Sequence, residues 1–454
     1  MADTQTGRTT KPAEHAHLVE LAERFDEQVP AVAPWIAALR ERGRNRFQQV
    51  GFPGRVEEAW RHSHAKLRSI RTARFDLPTT QDATSLRGEY SLVKDAAAEL
   101  VFVNGQFDAD LSRTADLPGV TIGRLTDAPE EAETVLGTLA DITANPFVAL
   151  SNAFLHDGAF LKFARGTTLD TPIHLLFIQT ADTPTVVNPR VLVIAEDEVE
   201  ATFVESYVGT GSYFTNAVVE VLAGDRCKLD HVKLNQESPE AAHIATMEVT
   251  LGEESNFADH AGILGAGFTR NDLNCTLAGE QVHATLNGVV IGTDARHIDN
   301  HTLLRHNEPN CTSYELYKHV MDDTSTGVFK GKIYVDQKAQ KTDAVQNSRS
   351  LLLSDDAQMN SQPALEIYAD DVKCTHGSTT GPLDEGAMFY LNSRGVDPDT
   401  SRRLLTYAFA ADVTRRIKVE AVRARIEDFM AKQHGLPTDF RIQELAEDTD
   451  EVVY

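Results

Sequence analysis

The spacing of hydrophobic residues predicts that the chain begins with helices. Four apolar residues share one face of a helix, at Leu18, Leu21, Ala22 and Phe25. Pro34 favours the first turn of a second helix, and the Gly-Phe-Pro-Gly run at 51–54 ends it. Glu57–Ile70 is predicted as a third helix, and Glu99–Val103 as a strand that runs into an Asn-Gly turn. We therefore predict a mostly helical domain over 1–144, with a disordered leader over 1–13.

From about residue 145 the pattern changes to short β-rich runs. Turn residues separate these runs every ten or so positions, which predicts an all-β region without intervening helices. A region of this length is long for one β-sandwich and suits a parallel β-helix, although no strict repeat is visible. In Asp225–Lys233 apolar and charged residues alternate, so one side of these strands is expected to meet water or an interface. The β-helix core is predicted over 145–381.

After Gly381 the pattern is helical again. We predict helices at Asp384–Ser393, at about Pro398–Ile417 and at Val419–Gln433, in a C-terminal domain over 382–454 whose end is acidic. The second helix carries a stripe of Leu404, Leu405, Ala408 and Phe409. Together with Phe389 and Tyr390, this is more apolar surface than a small helical unit needs for itself, so we expect a partner to bind there.

Charge and cysteine spacing narrow the function classes. The formal net charge of −25 disfavours nucleic acid and anionic membranes as partners. Cys227, Cys275, Cys311 and Cys374 are too far apart for a local zinc or ferredoxin motif, and they are expected to be reduced thiols. With no apolar signal segment in Met1–Thr10 and no run of the ~20 apolar residues that a membrane span needs, we expect a cytoplasmic protein.

Two motifs are weighed and set aside. Gly327–Ile333 is one residue short of a phosphate-binding loop and has Ile333 where Ser or Thr would bind magnesium, so no nucleotide is expected on this chain. His297 and His301, with His306 nearby, could bind a metal. The favoured interpretation is that the first two are polar residues along one face of a strand.

Several linked segments resemble the SufB/SufD family of the SUF iron–sulfur cluster assembly system. They are Phe329–Ile333, Gln337–Gln346, Ser350–Leu353, Pro363–Gly377 and Phe389–Gly395, with weaker matches at Glu57–Trp60 and Val101–Gly105. The Cys-Thr-His-Gly segment that ends at Gly377 is closer to the SufD branch than to the SufB branch.

The resemblance implies a mainly β protein with a right-handed parallel β-helix core between helical N- and C-terminal domains. It implies a scaffold without catalysis of its own that pairs with SufB, while its C-terminal helices dock the ABC-type ATPase SufC. It also implies that His376, with Cys374 two residues before it, helps to hold a transient iron–sulfur cluster at the subunit interface. Imidazole and thiolate are natural iron ligands, and residues two apart share one face of a strand.

The sequence leaves alternative functions open. One is a SufB-like subunit that accepts persulfide sulfur, and another is a β-helix enzyme that acts on carbohydrates. A third is a metalloenzyme that uses His297 and His301. The isolated chain could also form a homodimer.

Overall fold

The fold is a two-sheet parallel β-helix with helical layers on its outer faces, as predicted. The computed structural model describes residues 12–29, 32–71, 82–180 and 185–433. The predicted leader therefore lies outside the described residues up to residue 11, since a helix already begins at Pro12, and the acidic end lies wholly outside them.

The described helices are α1 (Pro12–Gln28), α2 (Pro34–Val50), α3 (Leu67–Ile70), α4 (Thr84–Tyr90), α5 (Glu131–Val135), α6 (Pro146–Ala153), α7 (Glu385–Ser393), α8 (Pro398–Thr414) and α9 (Glu420–Gln433). The described strands are β1 (Ala98–Val103), β2 (Gln106–Arg113), β3 (Val120–Arg124), β4 (Gly158–Phe163), β5 (Ile173–Gln179), β6 (Val186–Val187), β7 (Arg190–Ala195), β8 (Glu200–Gly209), β9 (Phe214–Ala223), β10 (Lys228–Gln236), β11 (Ala242–Leu251), β12 (Asn256–Ile263), β13 (Phe268–Leu277), β14 (His283–Gly292), β15 (His297–His306), β16 (Thr312–Met321), β17 (Thr326–Val335), β18 (Asp343–Leu352), β19 (Gln358–Ser361), β20 (Ala364–Ile367) and β21 (Lys373–Gly381).

The chain crosses between the two sheets in every coil. Sheet I has the order β2-β1-β5-β8-β10-β12-β14-β16-β18-β21, and sheet II has the order β19-β17-β15-β13-β11-β9-β7-β4-β3. From β4 onward, partners in adjacent coils are 26 to 32 residues apart, as in Ala242–Phe268 and Lys332–Ala364. This variable coil length explains why the sequence shows no strict repeat. Strands β1 to β3 precede residue 145 and extend the same sheets, while the predicted domain boundaries remain predictions.

One corner of the β-helix explains two of the cysteines. At this corner a non-glycine residue adopts a left-handed conformation in successive coils, at Glu198, Arg226, Glu254, Gln281, Asn310 and Lys341. The next residue points inward, and where it is Cys, Ser or Thr its side chain donates to a backbone carbonyl. Cys227 donates to the oxygen of Glu196 over 3.0 Å, and Ser255 makes the equivalent bond over 2.8 Å. Cys311 donates to Gly279 over 3.2 Å. A serine fills the same role as these thiols, so both cysteines are structural.

Helical layers cover the two sheets. The outer side of sheet II packs against the N-terminal segments, where the Arg270 guanidinium lies 4.6 Å from the centre of the Trp60 ring. The outer side of sheet I packs against α8 and α9, with Tyr407 and Ile426 buried against Val232 and Val289. No helix in the described ranges is both long and apolar enough to cross a membrane.

Most predicted element boundaries are confirmed. One predicted helix is wrong, and α6 lies at the start of the region that was predicted to contain no helix. α2 begins at Pro34, and Asp397 caps α8 with its side chain. The region Glu57–Ile70 forms two short 3₁₀ turns followed by α3, instead of one helix. Residues three apart eclipse in a 3₁₀ turn. Trp60 and Ser63 can therefore both face sheet II, and both are buried there.

Candidate functional site

The space between the two sheets, here called the lumen, contains stacked columns of side chains. Parallel pairing without slippage places one residue of each coil above its equivalent in the coil before. One such column, the central column, runs along sheet I through Phe203, His231, Asp259, Leu286, Glu315, Gln346 and His376. It therefore connects the buried middle of the lumen to the last strand of the sheet, β21.

The middle of the lumen holds an ion-pair cluster. His231 Nδ1 lies 2.6 Å from an oxygen of Asp259, and its Nε2 lies 3.7 Å from Glu205. Burial alone would lower the pKa of His231, but these two carboxylates outweigh it and raise the pKa to about 9. Lys233, buried beside them, donates to Asn271 over 2.8 Å. Burial lowers the pKa of Lys233 to about 8.

These charges correct the prediction for β10. The pattern there predicted that charged residues face water or an interface. Leu229 does point into the lumen as expected, but so do His231 and Lys233, while Val232 packs outward against the C-terminal helices. The apolar residues change from the inner face at Leu229 to the outer face at Val232, because both faces of this strand are covered.

The end of the lumen is also polar, but its buried carboxyl group bonds an amide instead of a cation. Gln346 Nε2 donates to Glu315 Oε2 over 2.7 Å, and both side chains are fully buried. Burial raises the pKa of Glu315 to about 7. Within the described residues, one oxygen of each of these side chains and the hydroxyls of Ser348 and Ser350 have no hydrogen-bond partner. Buried polar atoms without partners are uncommon and mark a site that needs explanation.

Cys374 and His376 lie at this open end. Strand β21 pairs with β18 on one side, and no other described strand pairs with it. Cys374 is half-buried against the core of the lumen, and burial raises the pKa of its thiol. His376 is exposed and lies opposite Gln346. The structure therefore brings the two predicted site residues together, on the lumen side of an edge strand.

Exposed apolar side chains concentrate near the same end. In the described ranges the large exposed hydrophobic residues are Val56, Ile367, Tyr368, Phe389 and Tyr390. Tyr368 is 61% exposed and directly follows β20, beside the last coil, and Phe389 is 74% exposed on α7.

The predicted stripe on α8 is only partly turned outward. Leu404 and Phe409 pack at the margin of the core beneath the helix, and Leu405 is half-buried. The fully buried face of α8 is a different one, with Tyr407, Ala410 and Val413.

The histidines of β15 have structural partners. His297 Nε2 lies 2.9 Å from the Ser63 hydroxyl, which also bonds Asp299. Asp299 in turn accepts from Arg270 over 2.8 Å. His306 points into the lumen, on the opposite side of the strand, and lies 2.9 Å from Ser313.

Both motifs that were set aside lie within strands. Across the described part of the chain, no group of three or more His, Cys, Asp or Glu residues could hold a metal ion. The segment Gly327–Ile333 lies within strand β17 and forms no phosphate-binding loop.

Glu315 and Gln346 were not predicted from the sequence as site residues. Gln346 ends one of the segments that resemble the family, but its position gave no sign of burial beneath His376. The only available signal was a polar residue at an inward position of a strand, and that signal depends on a register that the sequence does not show.

Comparison with known proteins identifies the family. The SufBD core domain of the SUF system for FeS cluster assembly matches residues 177–409, and the SufBD N-terminal region matches residues 14–175. An iron–sulfur cluster assembly SufBD family protein of Synechocystis is 34% identical over 72% of this chain and 76% of its own length. The iron–sulfur cluster assembly protein SufD of Escherichia coli is 29% identical over 83% of this chain and 88% of its own length. SufD of Bacillus subtilis is 27% identical over 63% of this chain and 66% of its own length. The chain therefore belongs to the SufBD family of iron–sulfur cluster assembly proteins.

Proposed function

We propose that this chain is a non-catalytic scaffold subunit that holds a nascent iron–sulfur cluster, as cargo, at the open end of its lumen. The observation that carries the proposal is the exposed imidazole of His376 beside the half-buried Cys374 on an edge strand. The two residues are roughly 7 Å apart along the strand. That separation suits a shared site at an interface better than chelation of one iron by this chain alone.

His376 is the better ligand of the two. An exposed neutral imidazole can bind iron at cytoplasmic pH without prior loss of a proton. A thiol must be deprotonated first, and the raised pKa of Cys374 opposes this. An incomplete ligand set also suits a scaffold that must release its cluster. We therefore assign His376 the principal role on this chain, with a partner supplying thiolates.

The partner at this end is proposed to be a SufB-like β-helix. Strand β21 offers a row of backbone donors and acceptors that could continue a sheet into a second chain. The exposed Tyr368 and Ile367 beside it would be covered by such a partner. Strands β14 to β17 are paired on both sides, so they have no free sheet edge. We therefore propose β21 as the pairing edge.

The C-terminal helices are proposed to dock a SufC-like ABC ATPase. Phe389 and Tyr390 are exposed on α7, where an apolar partner surface would bury them. The energy for assembly would come from this partner, since the chain is proposed to bind no nucleotide. The acidic, reduced-thiol composition is in keeping with assembly in the cytoplasm. A homodimer through β21 would be the state of the chain without SufB.

The deciding experiment replaces His376 by Ala in a reconstituted complex with SufB-like and SufC-like chains. We expect complex formation and the melting temperature to be unchanged and cluster absorbance to fall strongly. His283→Ala is the matched control, because His283 is an exposed histidine on a strand of the same sheet away from this end. Normal cluster assembly by the His376 variant would contradict the proposal.

Docking is tested with Phe389→Asp combined with Tyr390→Asp. Removing all three C-terminal helices would uncover the apolar outer face of sheet I, so a surface variant separates docking from stability more cleanly. ATPase binding should be lost while the melting temperature is kept. Val56→Asp, at another exposed apolar residue, serves as the control. Undiminished ATPase binding by the double variant would place the docking surface elsewhere.

The SufB-like alternative predicts a different result. If this chain were the main persulfide acceptor, the isolated chain would take up sulfur from a desulfurase. The three fully buried cysteines and the raised pKa of Cys374 argue against it. Mass spectrometry after incubation with a desulfurase and cysteine should therefore show no stoichiometric persulfide.

A further inference from the structure

We propose that Gln346 is a positioning residue for His376: its amide oxygen accepts the imidazole N–H and so selects which ring nitrogen faces the cluster site. The consequence for cluster assembly rests on the function proposed above, but the geometry does not. The site then also includes Glu315, which holds Gln346 from the buried side of the column.

The register places the three residues in line. Glu315, Gln346 and His376 occupy the same column in three successive strands of sheet I, so their side chains project from adjacent positions toward the lumen. Neighbouring strands lie about 4.8 Å apart, which is within the reach of a glutamine and a histidine side chain. Gln346 is the middle member, with Glu315 on its buried side and His376 on its open side.

The Gln346 amide is held by one hydrogen bond and occupies space that a glycine leaves free. Its Nε2 donates to Glu315 over 2.7 Å. On the opposite sheet, Gly331 leaves room for the same nitrogen, since a Cβ on Gly331 would overlap it. This fit also accounts for a glycine in the middle of β17, where glycine otherwise weakens a strand.

The remaining amide oxygen needs a donor. Gln346 is fully buried, yet its Oε1 has no partner in the described part of the chain. Leaving a buried acceptor unsatisfied is unfavourable, and the adjacent residue on the open side of the column carries an N–H group. A hydrogen bond from His376 would satisfy this oxygen.

Such a bond would orient the imidazole of His376 to bind iron. A neutral imidazole has one N–H and one free lone pair, and the partner of the N–H decides which nitrogen keeps the lone pair. Gln346 would therefore direct the lone pair of His376 away from the lumen and toward the partner chain. Glu315 can accept from the Gln346 amide in either protonation state, so the anchor tolerates the pKa of about 7 that burial produces.

The test is nitrogen NMR of the histidine rings in the full-length chain, with ¹⁵N-labelled histidine. The measurement is made at about pH 8.5, where an ordinary imidazole is neutral. The His376 signal is identified by its absence in His376→Ala. In the unmodified chain we expect one dominant tautomer, seen as well-separated shifts of the two ring nitrogens.

Three variants decide the assignment. Gln346→Met keeps the volume and removes the acceptor, and the two ring shifts should move toward each other. Gly331→Ala should act in the same direction, because its new methyl group displaces the Gln346 amide. Gln346→Glu keeps an acceptor oxygen and should retain the single tautomer. Ser348→Ala, at a buried polar lumen residue of the same strand, should leave His376 unchanged.

The cluster readout is separate. In the reconstituted complex, Gln346→Met should form cluster about 10- to 100-fold less well, the usual cost of losing a group that orients a metal ligand. A mixture of tautomers in the unmodified chain, or no change in Gln346→Met, would overturn the inference whatever happens to the cluster. If His376→Ala assembles clusters normally while the tautomer shifts behave as expected, the proposed function fails and the positioning contact stands.

Discussion

The central column of sheet I passes through both the middle and the open end of the lumen, and its polar residues have different roles in the two regions. In the middle, His231 lies between Asp259 and Glu205, so buried groups of opposite charge pair, and one oxygen of each carboxylate has no hydrogen-bond partner among the described residues. At the end, the carboxyl group of Glu315 bonds the neutral amide of Gln346 instead of a cation, and each of the two side chains keeps one buried oxygen without a partner among the described residues. No described strand covers β21 beyond them.

This difference distinguishes a cluster that stabilises the fold from the candidate functional site. Buried charges that pair with one another hold the coils in register, and breaking one pair is costly. The Glu315–Gln346 hydrogen bond instead joins a carboxyl group to a neutral amide, and it lies where His376 and another chain would meet. Polar residues inside the β-helix therefore have two different roles, and the following predictions distinguish the two regions.

The largest expected effect is that of His231→Leu. It leaves Glu205 and Asp259 buried without their cation, and removing one partner of a buried ion pair costs about 3–5 kcal/mol. The free energy of unfolding, measured by urea denaturation with circular dichroism, should fall by that amount. His376→Leu should change it by less than about 1 kcal/mol, because His376 is exposed. Equal losses in the two variants would remove the distinction between the regions.

The second prediction is a loss of stability at alkaline pH. The pKa of His231 rises from 6.5 to about 9 on folding, so between these values the folded state binds more protons than the unfolded state. This stabilisation is complete below pH 6.5 and is lost as pH rises through 9, at up to about 1.4 kcal/mol per pH unit. Melting temperatures from pH 6.5 to 9 should decline in the unmodified chain and decline less in His231→Leu. Parallel curves would contradict the assignment of a charged His231.

The third prediction is a loss of stability at acidic pH. Burial lowers the pKa of His319, which lies near the end of the lumen, to about 3. Between pH 6.5 and 3 the unfolded state therefore binds more protons, and acidification destabilises the fold by roughly 2 kcal/mol at pH 5. His319→Leu should reduce the decline in melting temperature between pH 6.5 and 5. An unchanged acid profile would show that this histidine is not buried in its neutral form.

The smallest expected effect compares two buried hydroxyls. Thr215 donates to Glu237 over 2.6 Å, so Thr215→Val should lower the free energy of unfolding by about 1–3 kcal/mol. Ser348 has no partner among the described residues, so Ser348→Ala should change it by less than about 0.5 kcal/mol or raise it slightly. Chemical denaturation of both variants tests the contrast. A large loss in Ser348→Ala would indicate a hidden partner and a structural role.

Much of the fold followed from local signals. Pro34 and the Asp397-Pro398 pair marked helix starts, and Asn104-Gly105 marked a hairpin turn, because these residues act through their own backbone preferences. The site residues His376 and Cys374 came from resemblance to the family, and strand spacing then placed them on one face. The helix predicted at Glu57–Ile70 failed because contacts of Trp60 and Ser63 with sheet II override a local helical pattern.

The sequence by itself determined the order of helical and β regions, the short strands with their turns, and the reduced cysteines, since each depends on near neighbours or on composition. Only the tertiary structure decided which side of β10 is inside, since both faces are covered and polarity no longer marks the exterior. It also brought Gln346 against Glu315, 31 residues away, and beneath His376. Such columns arise from coil lengths summed along the chain, and a coil length that varies from 26 to 32 residues leaves no period from which to predict them.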